Sequence, residues 1–119
     1  FATVIGAGPL LVQDGKINVT ATKENFPGDI KWGKSPRTAV GIGSNQELYL
    51  VVVDGRSRQS AGVTLTQLAE LMLELGAAQA INFDGGGSST FVLWGRVKND
   101  PSDGAERPVS SALLLRRKK

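Results

Sequence analysis

The alternation of apolar and polar positions along the 119 residues changes period several times, and each change predicts an element. Residues 1–7 are apolar and β-branched and read as a strand, closed by Gly6-Ala7-Gly8-Pro9. Leu10-Leu11-Val12 is a second short apolar run. The Asp14-Gly15 pair after it is a hairpin signal, with residues 16–20 alternating as the returning strand. Residues 21–34 are polar, carry Pro27, Gly28 and Gly33, and lack periodicity. They predict a loop of a length that in compact domains serves function or mobility. Phe26 and Trp32 are placed to anchor it, unless Trp32 instead offers a flat apolar face to a ligand.

Ser35-Pro36-Arg37-Thr38 opens a strand over residues 39–43, and Ser44-Asn45-Gln46 turns it. Residues 47–53 form a near-continuous run of branched and aromatic side chains, the pattern of a strand buried on both faces, ending in Asp54-Gly55-Arg56. Thr64-Leu65-Thr66-Gln67 is a capping box. Leu65, Leu68, Leu71, Met72 and Leu75 then recur at helical spacing until Gly76 stops them. This predicts one main helix, residues 64–75. Residues 79–83 form the next strand and deliver Asp84 at its end. A strand, helix and strand of these lengths suit a right-handed parallel crossover. Asp54 and Asp84 would then share the carboxyl edge of the sheet, where ligands bind in such folds. Beyond it, residues 90–94 and 96–98 read as strands about a Trp94-Gly95 turn, residues 99–107 as a second long loop, and residues 109–115 as a closing strand. The expected class is α+β, a mixed β-sheet with one main helix, in a single domain over residues 1–119.

The stretch Ile81-Asn82-Phe83-Asp84-Gly85-Gly86-Gly87-Ser88-Ser89-Thr90 stands apart from this scaffold. Three consecutive glycines lose much conformational entropy on folding and suit close backbone approach or positive φ. Successive amides in such a loop can form a concave anion site. With Asp84 before it and hydroxyls after it, the loop has the composition of an active-site corner; a tight strand connection capped by Asp84 is the plainer alternative. Arg37, Arg56 and Arg107 sit in loops flanking strands, and guanidinium forks bind phosphate or carboxylate oxygens in pairs. Asp54, Asp84, Asp103 and Glu106 accompany them.

Histidine and cysteine are both absent. This removes disulfide and thiol chemistry, the commonest general base and the commonest zinc ligand. Paired carboxylates are therefore the natural acid–base candidates, one protonating a leaving oxygen and the other attacking or activating water. The net charge of +3 owes four cations to the tail Arg116-Arg117-Lys118-Lys119, so the body is close to neutral and nucleic-acid binding gains no support. No apolar run is long enough to span a membrane, and no signal peptide is visible. The glycine run lacks P-loop spacing and does not open a helix as a dinucleotide-binding loop does. Gly-x-Ser-x-Gly is absent, no histidine can serve Ser88 or Ser89, and the aspartates do not form an EF-hand.

At these residues the sequence resembles the phosphodiester glycosidase family. The match is carried by Asn82 through Thr90, by Asn99-Asp100-Pro101-Ser102-Asp103-Gly104-Ala105-Glu106-Arg107-Pro108 and the segment to Leu114, and by Gly6-Ala7-Gly8-Pro9-Leu10-Leu11. Pro36-Arg37-Thr38-Ala39-Val40-Gly41, Val51-Val52-Val53-Asp54-Gly55-Arg56 and Thr64-Leu65 follow in the family's order. The family includes bacterial envelope and exopolysaccharide-related proteins and the mammalian enzyme that uncovers the mannose 6-phosphate tag. The resemblance implies hydrolysis of a sugar-1-phosphodiester to free sugar and a phosphomonoester, in the cell envelope, periplasm or outside the cell; no cofactor and no metal-ligating residue is singled out. It matches Arg37, Asp54, Arg56, Asp84, the Gly85–Gly87 loop, Ser88, Glu106 and Arg107 to family motif positions; on physical grounds Asp84, Glu106 and Asp54 are the candidates for catalysis. Arg37, Arg56, Arg107, Gly85, Gly86, Gly87, Ser88 and Ser89 would bind substrate or phosphate. The family's upstream half, with its Asn-Gly-Gly-aromatic motif, has no counterpart here. The domain is therefore expected to be incomplete at its N-terminus, completed by a missing segment or a second chain, or else a shortened relative. A non-catalytic carbohydrate- or phosphate-binding module is the alternative function.

Overall fold

The computed structural model describes residues 5–28 and 32–118. Strand β1 (Leu10–Gln13) turns at Asp14 and Gly15, both at positive φ, into the two-residue β2 (Lys16–Ile17). A long hairpin follows, β3 (Arg37–Gly43) and β4 (Leu48–Val53), in register from Arg37 opposite Val53 to Ile42 opposite Leu48. Helix α1 (Leu65–Leu75) leads into β5 (Ala77–Asn82). A small separate hairpin, β6 (Val92–Leu93) and β7 (Arg96–Val97), turns at Trp94 and Gly95.

The main sheet has the order β2-β1-β5-β3-β4, and each neighbouring pair is antiparallel. The α+β class holds, with an antiparallel sheet where a mixed one was expected. The crossover from β4 through α1 to β5 does join two strands running the same way, but β3 lies between them. Asp54 and Asp84 consequently leave the sheet at the same edge, as expected, by a different topology. The helix begins and ends as its sequence dictates. The Thr64 side chain accepts from the Gln67 amide at 3.1 Å, the Gln67 side chain accepts from the Thr64 amide at 3.0 Å, and Gly76 takes φ 111°.

Leu65, Leu68, Ala69 and Met72 of α1 are buried against Leu11, Val12, Ala39, Ala77 and Ala80 of the sheet. Small residues line the sheet beneath the helix. A Cβ on Gly41 would stand 2.8 Å from Met72 Cε and 3.0 Å from the Gln79 carbonyl, so the close approach of helix and sheet requires glycine there.

Three expectations need correction. β4 was expected to be buried on both faces; it is the edge strand of the sheet, with Leu48 exposed and the rest half-buried. The predicted closing strand over residues 109–115 has no regular structure, and Val109, Leu113, Leu114 and Leu115 are 41–86% exposed. Apolar β-forming residues make a strand only beside a partner edge, and none lies beside these. The predicted first strand falls partly on residues 1–4, outside the described residues; residues 5–9 are irregular, though Gly8 and Pro9 exchange backbone hydrogen bonds with Asn82 at 2.8 and 3.0 Å. Residues 21–25 form a hydrogen-bonded turn, and Phe26 anchors it by packing against the core. Trp32 is 70% exposed.

Candidate functional site

The carboxyl ends of β4 and β5 and the start of β3 meet at one edge of the sheet, and a cleft of about 790 Å³ opens there. Its walls are Gly6, Ala7, Gly8, Phe26, the segment Gly33-Lys34-Ser35, Arg37, Arg56, the run from Asn82 to Gly87, and Arg107. The three arginines singled out from the sequence thus converge with Asp84 and the glycine run.

Arg37 is the buried member, only 3% exposed. It opens β3, and its guanidinium donates from Nε to the Val63 carbonyl at 3.0 Å and from Nη2 to the Gly33 carbonyl at 2.7 Å. Burial lowers its pKa, and the nearby charge of Arg56 lowers it further. Two cations share this corner, which is the electrostatic demand for an anion. Arg56 follows β4 at φ 57°. Its guanidinium lies over the glycine run, where a Cβ on Gly86 would be 3.3 Å from Nη1. The backbone carrying Arg56 is pressed onto that carrying Arg37: a Cβ on Gly55 would come within 2.7 Å of the Pro36 nitrogen, and Gly62, at φ +87°, abuts Ser35. Close backbone contact therefore holds the two guanidiniums together.

The Gly85-Gly86-Gly87-Ser88 run folds as a single 3-10 turn over Gly86–Ser88. Some of the amides here are committed: Gly86 donates to the Pro36 carbonyl at 2.9 Å, Ser88 to Gly85 and Ser89 to Gly86, each at 3.1 Å. The glycines serve close approach more than anion binding by these three amides. Arg107 and Asp103 lie on Gly87, where a Cβ would stand 2.6 Å from Arg107 Cζ. Asp84, at the end of β5, is exposed in the cleft.

The remaining candidates sit elsewhere. The Asp54 carboxylate accepts from Asn99 Nδ2 at 3.1 Å and from the Asp100 amide at 3.0 and 3.1 Å, fastening the 99–107 loop. It lines a separate shallow groove with Leu50, Val52, Phe91 and Lys98. Glu106 is exposed and does not line the cleft. Ser89 is 1% exposed; it accepts from the Thr38 hydroxyl at 3.2 Å, and its carbonyl accepts from Asn99 at 2.8 Å. Ser88 does not line the cleft. No group of three or more acidic residues among the described residues is placed to hold a metal ion.

Asn82 is a cleft residue that sequence reasoning passed over. It is 5% exposed, donates from Nδ2 to the Gly8 carbonyl at 3.1 Å, and its Oδ1 has no hydrogen-bond partner. Its position at the last residue of a buried strand, beside Asp84, was the signal that could have found it. Gly6 through Gly8 belong to a motif of the family resemblance but were not singled out as site residues, and Lys34 was missed because no motif chemistry marks it.

A family model described as phosphodiester glycosidase matches residues 1–116. The N-acetylglucosamine-1-phosphodiester alpha-N-acetylglucosaminidase of Bos taurus is 48% identical over 69 residues, which are 58% of this chain and 13% of that protein. A Synechocystis protein of known crystal structure superposes with a TM-score of 0.76 at 33% identity, over 85% of this chain and 19% of that one. The catalytic domain of the zebrafish N-acetylglucosamine-1-phosphodiester alpha-N-acetylglucosaminidase, in a structure auto-inhibited by its pro-peptide, superposes at 0.71 with 32% identity, over 82% and 34% of the two chains. The chain thus spans about an eighth of the length of the curated relatives it matches.

Proposed function

The chain belongs to the phosphodiester glycosidase family, and from that premise we propose that its cleft takes a sugar-1-phosphodiester and hydrolyses the glycosidic bond. The observation that carries this reading is the convergence of Arg37, Arg56 and Arg107 with Asp84 in one cleft. The bond from the anomeric carbon to the phosphate oxygen breaks, and its electron pair leaves with the phosphomonoester. Asp84 either activates the water that attacks the anomeric carbon or attacks it itself, forming a glycosyl ester that water then cleaves. A phosphate ester is already a good leaving group, so the arginines stabilise its growing charge and a general acid matters less. Gly85, Gly86 and Gly87 let Pro36, Arg56 and Arg107 close on the loop and so gather the arginines about the phosphate. An envelope or extracellular setting belongs to the same proposal; no described helix is long and apolar enough to cross a membrane.

A second reading, a non-catalytic carbohydrate- or phosphate-binding module, is favoured by one observation. Asp84 is the only carboxylate lining the cleft among the described residues, with Asp54 and Glu106 outside it. Glycosidases that use paired carboxylates need two. The test is hydrolysis of UDP-N-acetylglucosamine or a simple sugar-1-phosphodiester, with Asp84→Asn alongside. Turnover abolished by the substitution is the expected result. Saturable binding without turnover selects the binding module, and neither activity overturns both readings.

A further inference from the structure

We propose that Asp103 lowers the cleft's preference for a doubly charged phosphomonoester over a singly charged phosphodiester by holding the Arg107 guanidinium in an ion pair; this rests on the function proposed above. Arg107 donates from Nε to Asp103 Oδ2 at 2.9 Å, and its Nη2 lies 2.8 Å from the same oxygen as an ion pair. The two side chains are 45% and 43% exposed, so the pair meets solvent where Arg107 borders the cleft. The pair is a built feature. It lies on Gly87, which a Cβ would close to it. Asp103 sits in a turn closed by the Gly104 amide on the Pro101 carbonyl at 2.9 Å, and Asp54 fastens the start of the same loop.

The charge balance gives the pair its consequence. Lys34, Arg37, Arg56 and Arg107 face the cleft against Asp84. Asp103 removes one more positive charge at the arginine nearest the loop. A phosphodiester carries one negative charge and a phosphomonoester close to two at neutral pH. Hydrolysis of the glycosidic bond converts the first into the second in place. With Arg107 unpaired, the cleft would favour the product over the substrate by a wider margin. Asp103 occupies the guanidinium that the second product charge would otherwise claim, and so favours product departure.

The experiment titrates the protein with inorganic phosphate near pH 8, mostly the dianion, and with dimethyl phosphate, a monoanion, at low ionic strength. Amide resonances of Gly85, Gly86 and Gly87 report binding in wild type, Asp103→Asn, Asp103→Glu and Arg56→Gln. Removing one carboxylate charge at roughly 5 Å in water predicts about four-fold tighter dimethyl phosphate binding in Asp103→Asn and about sixteen-fold tighter phosphate binding, so the ratio of the two shifts about four-fold. Asp103→Glu should restore the wild-type ratio, which a purely structural role for the loop would not require. An unchanged ratio, or weaker binding of both anions, overturns the proposal. If binding is still lost in Arg56→Gln, that failure leaves the anion cleft standing. If neither wild type nor Asp103→Asn binds either anion, the cleft reading itself fails and this proposal with it.

Discussion

Replacing Arg37 with methionine separates the two forces acting on the buried guanidinium. Its hydrogen bonds to the carbonyls of Val63 and Gly33, at 3.0 and 2.7 Å, tie the start of β3 to two loop segments. Hydrogen bonds from a charged donor contribute about 1.5–3 kcal/mol each. Against this stand the burial of the charge and the repulsion from Arg56, the same causes that lower its pKa. Substituting a buried ionic group by an apolar one of similar volume is often neutral or stabilising when the partners are removed together. Here the partners are main-chain carbonyls that the substitution leaves behind; that of Val63 keeps the Ser35 amide at 3.2 Å, while an acceptor left without a donor costs about 1–3 kcal/mol. The lost bonds therefore outweigh the relieved charge, and Arg37→Met should lose about 2–4 kcal/mol, a large part of the 5–15 kcal/mol typical of a domain. Urea unfolding followed by fluorescence of Trp32 and Trp94 measures it. With a slope of about 1–3 kcal/mol per molar, the midpoint should fall by roughly 1–2 M. A loss below about 0.5 kcal/mol, or a gain, would show that charge burial and repulsion dominate.

Gly62→Ala places a Cβ 2.9 Å from Ser35 Cα and closer still to the Ser35 carbonyl, at a φ of +87°; both strain and collision fall on backbone, so a loss of about 2 kcal/mol or more is expected in thermal unfolding, and an unchanged midpoint would refute the contact. Asp54→Asn keeps the shape but weakens the acceptor for Asn99 and Asp100. It should cost about 1 kcal/mol in the same assay. Hydrolysis should stay within about three-fold of wild type, whereas a loss of about 100-fold would move Asp54 into the chemistry.

The helix was legible because its signals are local. Thr64, Gln67, the leucine spacing and Gly76 each act within a turn or two, and the structure reproduces all of them. The convergence of Asp84 with Arg37 and Arg56 was legible in part, since strand ends deliver loop residues to a sheet edge whichever strand lies between. What the sequence could not show was strand order: nothing in residues 37–43 says that β3 inserts between β4 and β5. The apolar run in β4 looked like a central strand because burial depends on neighbours rather than on composition. The separation of Asp54 from the cleft was hidden for a similar reason. A carboxylate at a strand end reads the same whether it meets a ligand or fastens a loop 45 residues away. Asn82 and Lys34 enter the cleft through tertiary placement that no local pattern records.

The exposed segment over residues 109–115 has a consequence for how this chain behaves in concentrated solution. Its run of valine, alanine and leucines has the makings of a strand seeking an edge, and the edge of β4 is open. Arg116-Arg117-Lys118-Lys119 follows it directly. Four like charges beside an adhesive segment act as gatekeepers, because bringing two copies together would stack eight cations. That protection is electrostatic and weakens as salt shortens the screening length. The basic stretch that gives no support to nucleic-acid binding is thus placed to keep neighbouring copies apart, and the chain's colloidal stability should fall as ionic strength rises.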